Sequence, residues 1–554
     1  MDSFKFLKRR TTDLLNSIPQ SLPSIQSLHL GGTHGHGHPH LGAHTMKGTW
    51  EKIGGLPSLP RSSHSVNIVA GNVYIFGGES ANARKPVDND MHVITLPSSG
   101  AQADYYTIKA TPEPKETSPI PPPAPEIKIE SEDADAAPSD KGKGPETPAS
   151  IASSLPSVPS PRVGHATAAI GHRIFLFGGR GGPDMSALDE GGRVWVFDTR
   201  SRHWSFLDPI LPPTSAKDAI PAPRSYHAAV ATDKPRDFNL APHHPKPLTR
   251  TGTIKEWALG DSDEVGTPQH PIIGAIANRA VDPDLAGFGT FIIHGGCLSA
   301  PNTRASDLWA FDIHSRTWQR LPDAPGSPRG GTALALSRSR LYRFGGYTGT
   351  STEGGRLDFL ELGVDQFNDG FSVGEVSLVA RGQWQSLLQT KTEDVGYKEP
   401  DTAEAPLTEG EKEEDPWPAA RSVARLEAVT VGGGREYLVL LLGEAEASQQ
   451  GHDGAGKFLE DVWAFEVPAQ GMSAAKVANS VMSAVGRKTG EGKWKKVEAG
   501  PYDDEDDESA DGPGARGWFG SATMGDLEEN GIVIFGGLDE SNSRRGDGWI
   551  FRLG

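Results

Sequence analysis

The sequence predicts an all-β protein, a closed ring of six four-stranded sheets, and three observations predict it. A short apolar strand ending in a Gly pair recurs six times, an arginine opens every repeat, and the last repeat is one strand short while a spare strand stands near the N-terminus. The Gly pairs are Gly77-Gly78, Gly178-Gly179, Gly295-Gly296, Gly345-Gly346 and Gly536-Gly537, with a degenerate Leu442-Gly443 in the fifth repeat. The opening arginines are Arg61, Arg162, Arg224, Arg329, Arg421 and Arg516, and in repeats one, two and four the arginine stands 16 residues before the first glycine.

Within each unit the strands can be taken in order, a to d, from the centre of the ring outward. Strand a follows the arginine. Strand b is the run before the glycines, "NVYIF", "RIFLF", "TFIIH", "RLYRF", "YLVLLL" or "GIVIF". Strand c reads "MHVITL", "RVWVFD", "DLWAFD", "LDFLEL", "DVWAFE" and "DGWIFR", and strand d carries Tyr105/Tyr106, Trp204, Trp318, Trp384 and Trp494. Short apolar or alternating runs bounded by turn residues are strands. A Gly pair at a strand end answers a need for positive φ or for close backbone approach. Tryptophan supplies a large apolar face to fill the wedge between neighbouring units. The sixth unit stops at "GWIFRLG" without its closing tryptophan, and "GTWEKIGGLP" around Trp50 supplies the missing strand, which removes a free sheet edge.

A period near 50 residues with these features is the kelch pattern. The expected fold is therefore a six-bladed kelch-type β-propeller closed by an N-terminal strand, with long disordered acidic and Pro-rich loop insertions. Residues 1–46 read as a disordered basic and His-rich leader, and 47–554 as the propeller, with insertions at about 107–158, 232–286, 388–416, 468–490 and 498–512. Polar, Pro- and Glu-rich composition cannot bury enough apolar surface to order such segments.

Charge follows the same division. The net charge is −18. Segments 126–140, 393–415 and 498–511 hold six acids against one base, ten against two and eight against none, which exceeds the whole deficit. The remaining chain is near neutral, so no basic surface for nucleic acid is expected. The single cysteine, Cys297, excludes an internal disulfide. No apolar run approaches a membrane span, and the leader lacks the apolar core of a secretory signal, so a cytoplasmic or nuclear location is expected. Six histidines of the leader, His29 to His44, sit in a Gly-rich tract with no fixed ligand geometry.

Antiparallel order puts the b–c and d–a connections on one face. The six arginines begin strand a on that face and form a ring at the channel mouth, where guanidinium groups suit an anion or an acidic partner. Glu79, Arg180, Cys297, Tyr347, Glu444 and Leu538 directly follow the glycines and are expected on the same rim.

"RSSHSVNIVAGNVYIFGGES", "PRSYHAAV", "PRGGTAL", "ARSVARLEAV" and "ARGWFGSAT" resemble, in blade order, the plant nitrile-specifier, epithiospecifier and thiocyanate-forming proteins. The resemblance covers nearly all blade segments. It implies an Fe(II)-dependent lyase acting in glucosinolate breakdown, with iron on a Glu-x3-Asp-x3-His set after the fifth Gly pair. The matching stretch "GEAEASQQGHDG" places Glu444 and His452 at the outer positions and Ser448 in the middle, with Glu446 or Asp453 as substitutes for the missing carboxylate. Arg162, Arg224 and Trp518 match the family's substrate-contacting positions, Trp518 being the one nearest to a catalytic role. The residues alone require no cofactor; Fe(II) enters only through the resemblance. Two functions therefore stand side by side: a binding or scaffold propeller that presents its loops to a protein or small anionic molecule, and a specifier-like lyase with a degenerate iron site. Oligomeric state is not readable from these features.

Overall fold

In the computed structural model the described residues are 46–554, apart from 81–84, 97–101, 115–154, 212–218, 236–287, 301–302, 368–374, 390–415, 433, 451–453, 469–490 and 503–511. The leader and most of the five expected insertions lie outside them. The described chain is almost wholly β, with one short 3-10 turn at Gly525–Leu527.

Units one and two are four-stranded antiparallel sheets in chain order, with inner strands Ser65–Val69 and Ala166–Ile170. Unit three adds a two-residue strand, Arg224–Ser225, beside its inner strand Ala228–Thr232. Unit four departs from expectation. Its third strand, Arg356–Phe367, runs for 12 residues. The first part pairs with Arg340–Phe344 and Gln385–Leu388, and the second with a strand at Glu375–Ala380 that the repeat does not contain. Units five and six share one eight-stranded sheet. Met46–Lys52 joins them, antiparallel to Gly548–Leu553 and parallel to Trp494–Pro501, with Trp50 opposite Phe551.

The second strand of each unit is buried along most of its length, as its unbroken apolar run requires, and in units one and two the third strand is buried as deeply. Side chains from consecutive units make up the core clusters: Phe76 of unit one meets Trp204 of unit two at 5.0 Å, Phe177 meets Trp318 at 5.2 Å, and Phe344 meets Trp494 at 5.7 Å. A further cluster joins Val73 and Ile75 of unit one to Val533 and Phe535 of unit six.

The Gly pairs have a specific cause. In every pair the first residue lies near φ +65° and the second near +100°, for example +67° at Gly345 and +105° at Gly346. A Cβ on Gly345 would sit 2.3 Å from the carbonyl oxygen of Arg421 in the next unit, and on Gly178 2.6 Å from that of Arg224. The N–H of the second glycine donates to that same carbonyl, at 2.8 Å for Gly179 to Arg224. The pair therefore both turns the chain and couples one unit to the next. Leu442, at φ +51°, adopts this conformation without being glycine.

Candidate functional site

The six opening arginines are buried, from 0 to 3% exposed. Each spends its guanidinium inside its own unit. One N–H donates to the carbonyl of the first residue of the Gly pair, as Arg224 does to Gly295 at 3.0 Å and Arg421 to Leu442 at 2.9 Å. The same group meets a carboxylate at the start of the third strand: Arg162 pairs with Glu190, Arg224 with Asp307, Arg421 with Asp461 and Arg516 with Asp547, all at 2.6–2.8 Å. Arg61 and Arg329 face Asp88 at 3.9 Å and Glu353 at 3.5 Å. In units three, five and six a tryptophan N–H completes the network, Trp309 donating to Asp307 at 2.8 Å. Burial pulls Asp307 up, yet the hydrogen bonds and charge of Arg224 outweigh it and hold the carboxyl below its usual range. These arginines line neither cavity described below, so the expected arginine-ringed mouth is replaced by six buried ion pairs.

The residue two places after each arginine is the functional neighbour that counting did not single out. Ser63, Gly164, Tyr226, Gly331, Val423 and Trp518 all adopt positive φ, between 47° and 63°. Their backbones are joined head to tail: Gly164 N–H donates to Ser63 O, Tyr226 to Gly164, Gly331 to Tyr226, Val423 to Gly331, Trp518 to Val423 and Ser63 to Trp518, at 2.6–3.3 Å. Left-handed Tyr, Val and Trp are strained, and such strain persists only where surrounding structure imposes it. Glycine at 164 has a plain reason, since a Cβ there would lie 2.7 Å from the Tyr226 ring. Tyr226 and Trp518 meet edge to face at 5.2 Å.

On the rim side of this loop of hydrogen bonds lies a cavity of about 330 Å³, lined by Arg180, Tyr226, Cys297, Arg304, Glu444 and Trp518 among others. Four of the residues expected on the rim after the Gly pairs, Arg180, Cys297, Tyr347 and Glu444, line it together. The other two do not: Glu79 pairs with Arg544 at 3.1 Å, and Leu538 is buried. Arg180 donates to Ser225 Oγ at 3.3 Å and lies over the Tyr226 ring at 4.9 Å; Arg304 lies over Tyr347 at 5.2 Å. Glu444 is buried, and its contact with Ser422 Oγ is long, at 3.5 Å. Burial pushes its carboxyl up to about 7, against a smaller opposing effect of Ser422. Burial likewise raises Tyr226 to about 12 and lifts the Cys297 thiol, the latter opposed by Arg304 and Arg180. The pocket thus sets two cations and two aromatic rings beside a carboxyl whose proton burial holds on to.

The iron set fares differently. Glu444 and Ser448 line the pocket, while Glu446 is exposed and faces Lys457 at 3.8 Å. His452 and Asp453 lie outside the described residues. Among the described residues no three His, Cys, Asp or Glu side chains gather as a metal would need. Among the described residues Glu444 is the one buried carboxylate of the expected set.

Comparison with known proteins agrees with the repeat. Residues 161–209, the second unit, match the Kelch motif. Over 417 residues the chain is 22% identical to N-(sulfonatooxy)prop-2-enimidothioate sulfolyase of Thlaspi arvense, covering 72% of this chain and 94% of that one. A 76-residue stretch is 34% identical to the tRNA wybutosine-synthesizing protein 2/3/4 of Oryza sativa subsp. japonica, 14% of this chain and 6% of that one. The solved structure of YjhT aligns at 12% identity and a TM-score of 0.42, over 89% of this chain and 95% of that one. The chain carries a kelch motif and is similar in sequence, along most of its length, to a specifier-type sulfolyase.

Proposed function

We propose that the six units form a six-bladed β-propeller closed by the N-terminal strand, and that it works as a binding module whose rim pocket takes a small anionic molecule with an apolar body. The cyclic chain of hydrogen bonds from Ser63 back to Trp518 supports six blades, and the pairing of Trp50 with Phe551 supports closure. One observation carries the binding reading: Arg180 and Arg304 converge on a 330 Å³ pocket that also presents Tyr226 and Trp518. Cations fixed on aromatic faces favour an anionic ligand whose apolar part packs on those rings. Connections on the same face give a protein partner a surface around the pocket.

The test is isothermal titration of the whole chain with 4-nitrophenyl sulfate, an aryl sulfate that fits this description. Saturable binding weakened tenfold or more by Arg180→Ala is expected. No binding at millimolar probe, or equal binding by the variant, overturns the reading.

A lyase is the second reading, and Glu444 favours it. A carboxyl at about 7 can give or take a proton at neutral pH beside the two arginines. The sulfolyase relative acts, by its name, on a sulfonatooxy compound, which is an anion of the class the pocket suits. Product formation from an O-sulfonated substrate, lost in Glu444→Gln while binding is kept, supports this reading. Turnover unchanged by Glu444→Gln removes it. Fe(II) loading of the same pair of proteins, with residues 1–46 deleted, asks separately whether Glu444 and His452 hold metal.

A further inference from the structure

Beneath the Ser63–Trp518 ring lies a second cavity, the central channel, of about 370 Å³. Its walls are the six inner strands, and Tyr226, Gly331, Val423 and Trp518 separate it from the rim pocket. Alanines such as Ala168, Ala229, Ala335 and Ala428 share the walls with polar residues, among them Asn67, Thr167 and Ser521. Into this mixed lining the fifth unit brings Arg425.

Arg425 differs from every opening arginine. Its Nε donates to the Phe519 carbonyl at 3.0 Å, and neither terminal nitrogen has a partner among the described residues. Glu427, two residues along the same strand, forms no ion pair with it and instead accepts a hydrogen bond from Ser521 at 2.5 Å. Burial raises the Glu427 carboxyl, more than Ser521 and Arg425 lower it, so its negative charge is disfavoured there. The Arg425 charge is felt across the channel. After burial and Arg61, it helps hold His64 well below its usual range, and it contributes in the same direction at His165. His165 Nε2 pairs with Ser65 Oγ at 3.0 Å, but the matching position opposite His64 is Gly520, where a Cβ would lie 3.1 Å from His64 Nε2. The channel therefore holds a cation with two open N–H groups and a neutral imidazole without its usual hydroxyl.

We infer that the channel is a second binding site, for a small carboxylate or inorganic oxoanion anchored by Arg425. A guanidinium whose two terminal groups open into a channel can hold an oxoanion bidentately, two oxygens meeting both groups at once. Entry is from the face opposite the rim, where Ile68, Ala169, Ala231, Leu336, Ala428 and Thr523 are all partly exposed. The site is independent of the rim pocket, because the hydrogen-bonded ring stands between them.

Sulfate titration calorimetry in chloride-free buffer tests this on the whole chain and three variants. Sulfate binding that survives Arg180→Gln is the channel site. It is expected to weaken tenfold or more in Arg425→Gln and several-fold in Arg425→Lys, which keeps the charge but loses the two-point contact. Absence of such binding at millimolar sulfate, or an unchanged Kd in Arg425→Gln, overturns the inference. Should Arg425→Gln not fold, Arg425→Lys decides: an unchanged Kd there overturns it as well.

Discussion

Two sets of arginines occupy this molecule, and the difference between them separates scaffold from site. The six that recur at fixed places in the repeat are buried and matched, each to a carbonyl and a carboxylate of its own unit. Three arginines outside the repeat, Arg180, Arg304 and Arg425, line cavities instead. A position that repeats in all six units serves what all six share, which is folding. A position that differs between units is not required by the repeat; some, such as Arg343 beside Asp358, still hold one unit together, and those that open into a cavity are where chemistry can be sought.

The largest expected effect tests the first set. Arg224→Ala leaves Asp307 with Trp309 alone and the Gly295 carbonyl without its donor, so unfolding stability should fall by about 3–5 kcal/mol. Urea unfolding followed by tryptophan fluorescence measures it. A loss under about 1 kcal/mol would place Arg224 with the second set.

Most of the scaffold was legible because it is periodic. The spacing of Arg61 to Gly77 and its copies, the tryptophans of the outer strands and the spare strand at Trp50 all recur or complete a count. The carboxylate partners went unread although the signal is there: "DLW", "DVW" and "DGW" each place an Asp two residues before a tryptophan, which is the geometry of Asp307 and Trp309. The positive-φ ring went unread although it lies two places past each arginine, because its members, from Ser63 to Trp518, share no side-chain chemistry for composition to flag. The strand at Glu375–Ala380 escaped because it belongs to one unit alone. Arg425 and Glu427 read as ordinary alternation in "ARLEAVT"; only the cavity that inner strands of several units line together makes two polar residues part of a shared wall.

Glu444 sharpens the comparison from the acid side, since Asp307, Asp461 and Asp547 are held low by arginine while Glu444 is raised. A carboxyl whose folded pKa of about 7 exceeds its unfolded value binds its proton more tightly when folded. Its ionisation therefore costs nothing below about pH 4, destabilises progressively through the window up to about pH 7, and costs a constant amount above it. Glu444→Gln should stabilise the protein by about 2–3 kcal/mol at pH 8 and leave it unchanged near pH 4. Asp307→Asn should do the opposite at pH 8, because the carboxylate it removes is stabilised by Arg224. Thermal unfolding at the two pH values separates them, and equal shifts at both would show that Glu444 does not titrate in this window.

The smallest expected effect is also the most telling. Arg180 follows a Gly pair in unit two, only 18 residues after Arg162, yet its contacts are a 3.3 Å hydrogen bond to Ser225 and the face of Tyr226. A half-exposed cation in such contacts contributes about 0–1 kcal/mol. Arg180→Ala should therefore leave urea unfolding nearly unchanged while weakening anion binding at the rim. Loss of several kcal/mol would make Arg180 one more member of the scaffold and leave the rim pocket without its cation. Stability and binding both unchanged would keep the division of the arginines but take function away from this pocket. Only unchanged stability with weakened binding keeps both halves of the comparison, because it shows that a guanidinium without a buried carboxylate is held for a ligand rather than for the fold.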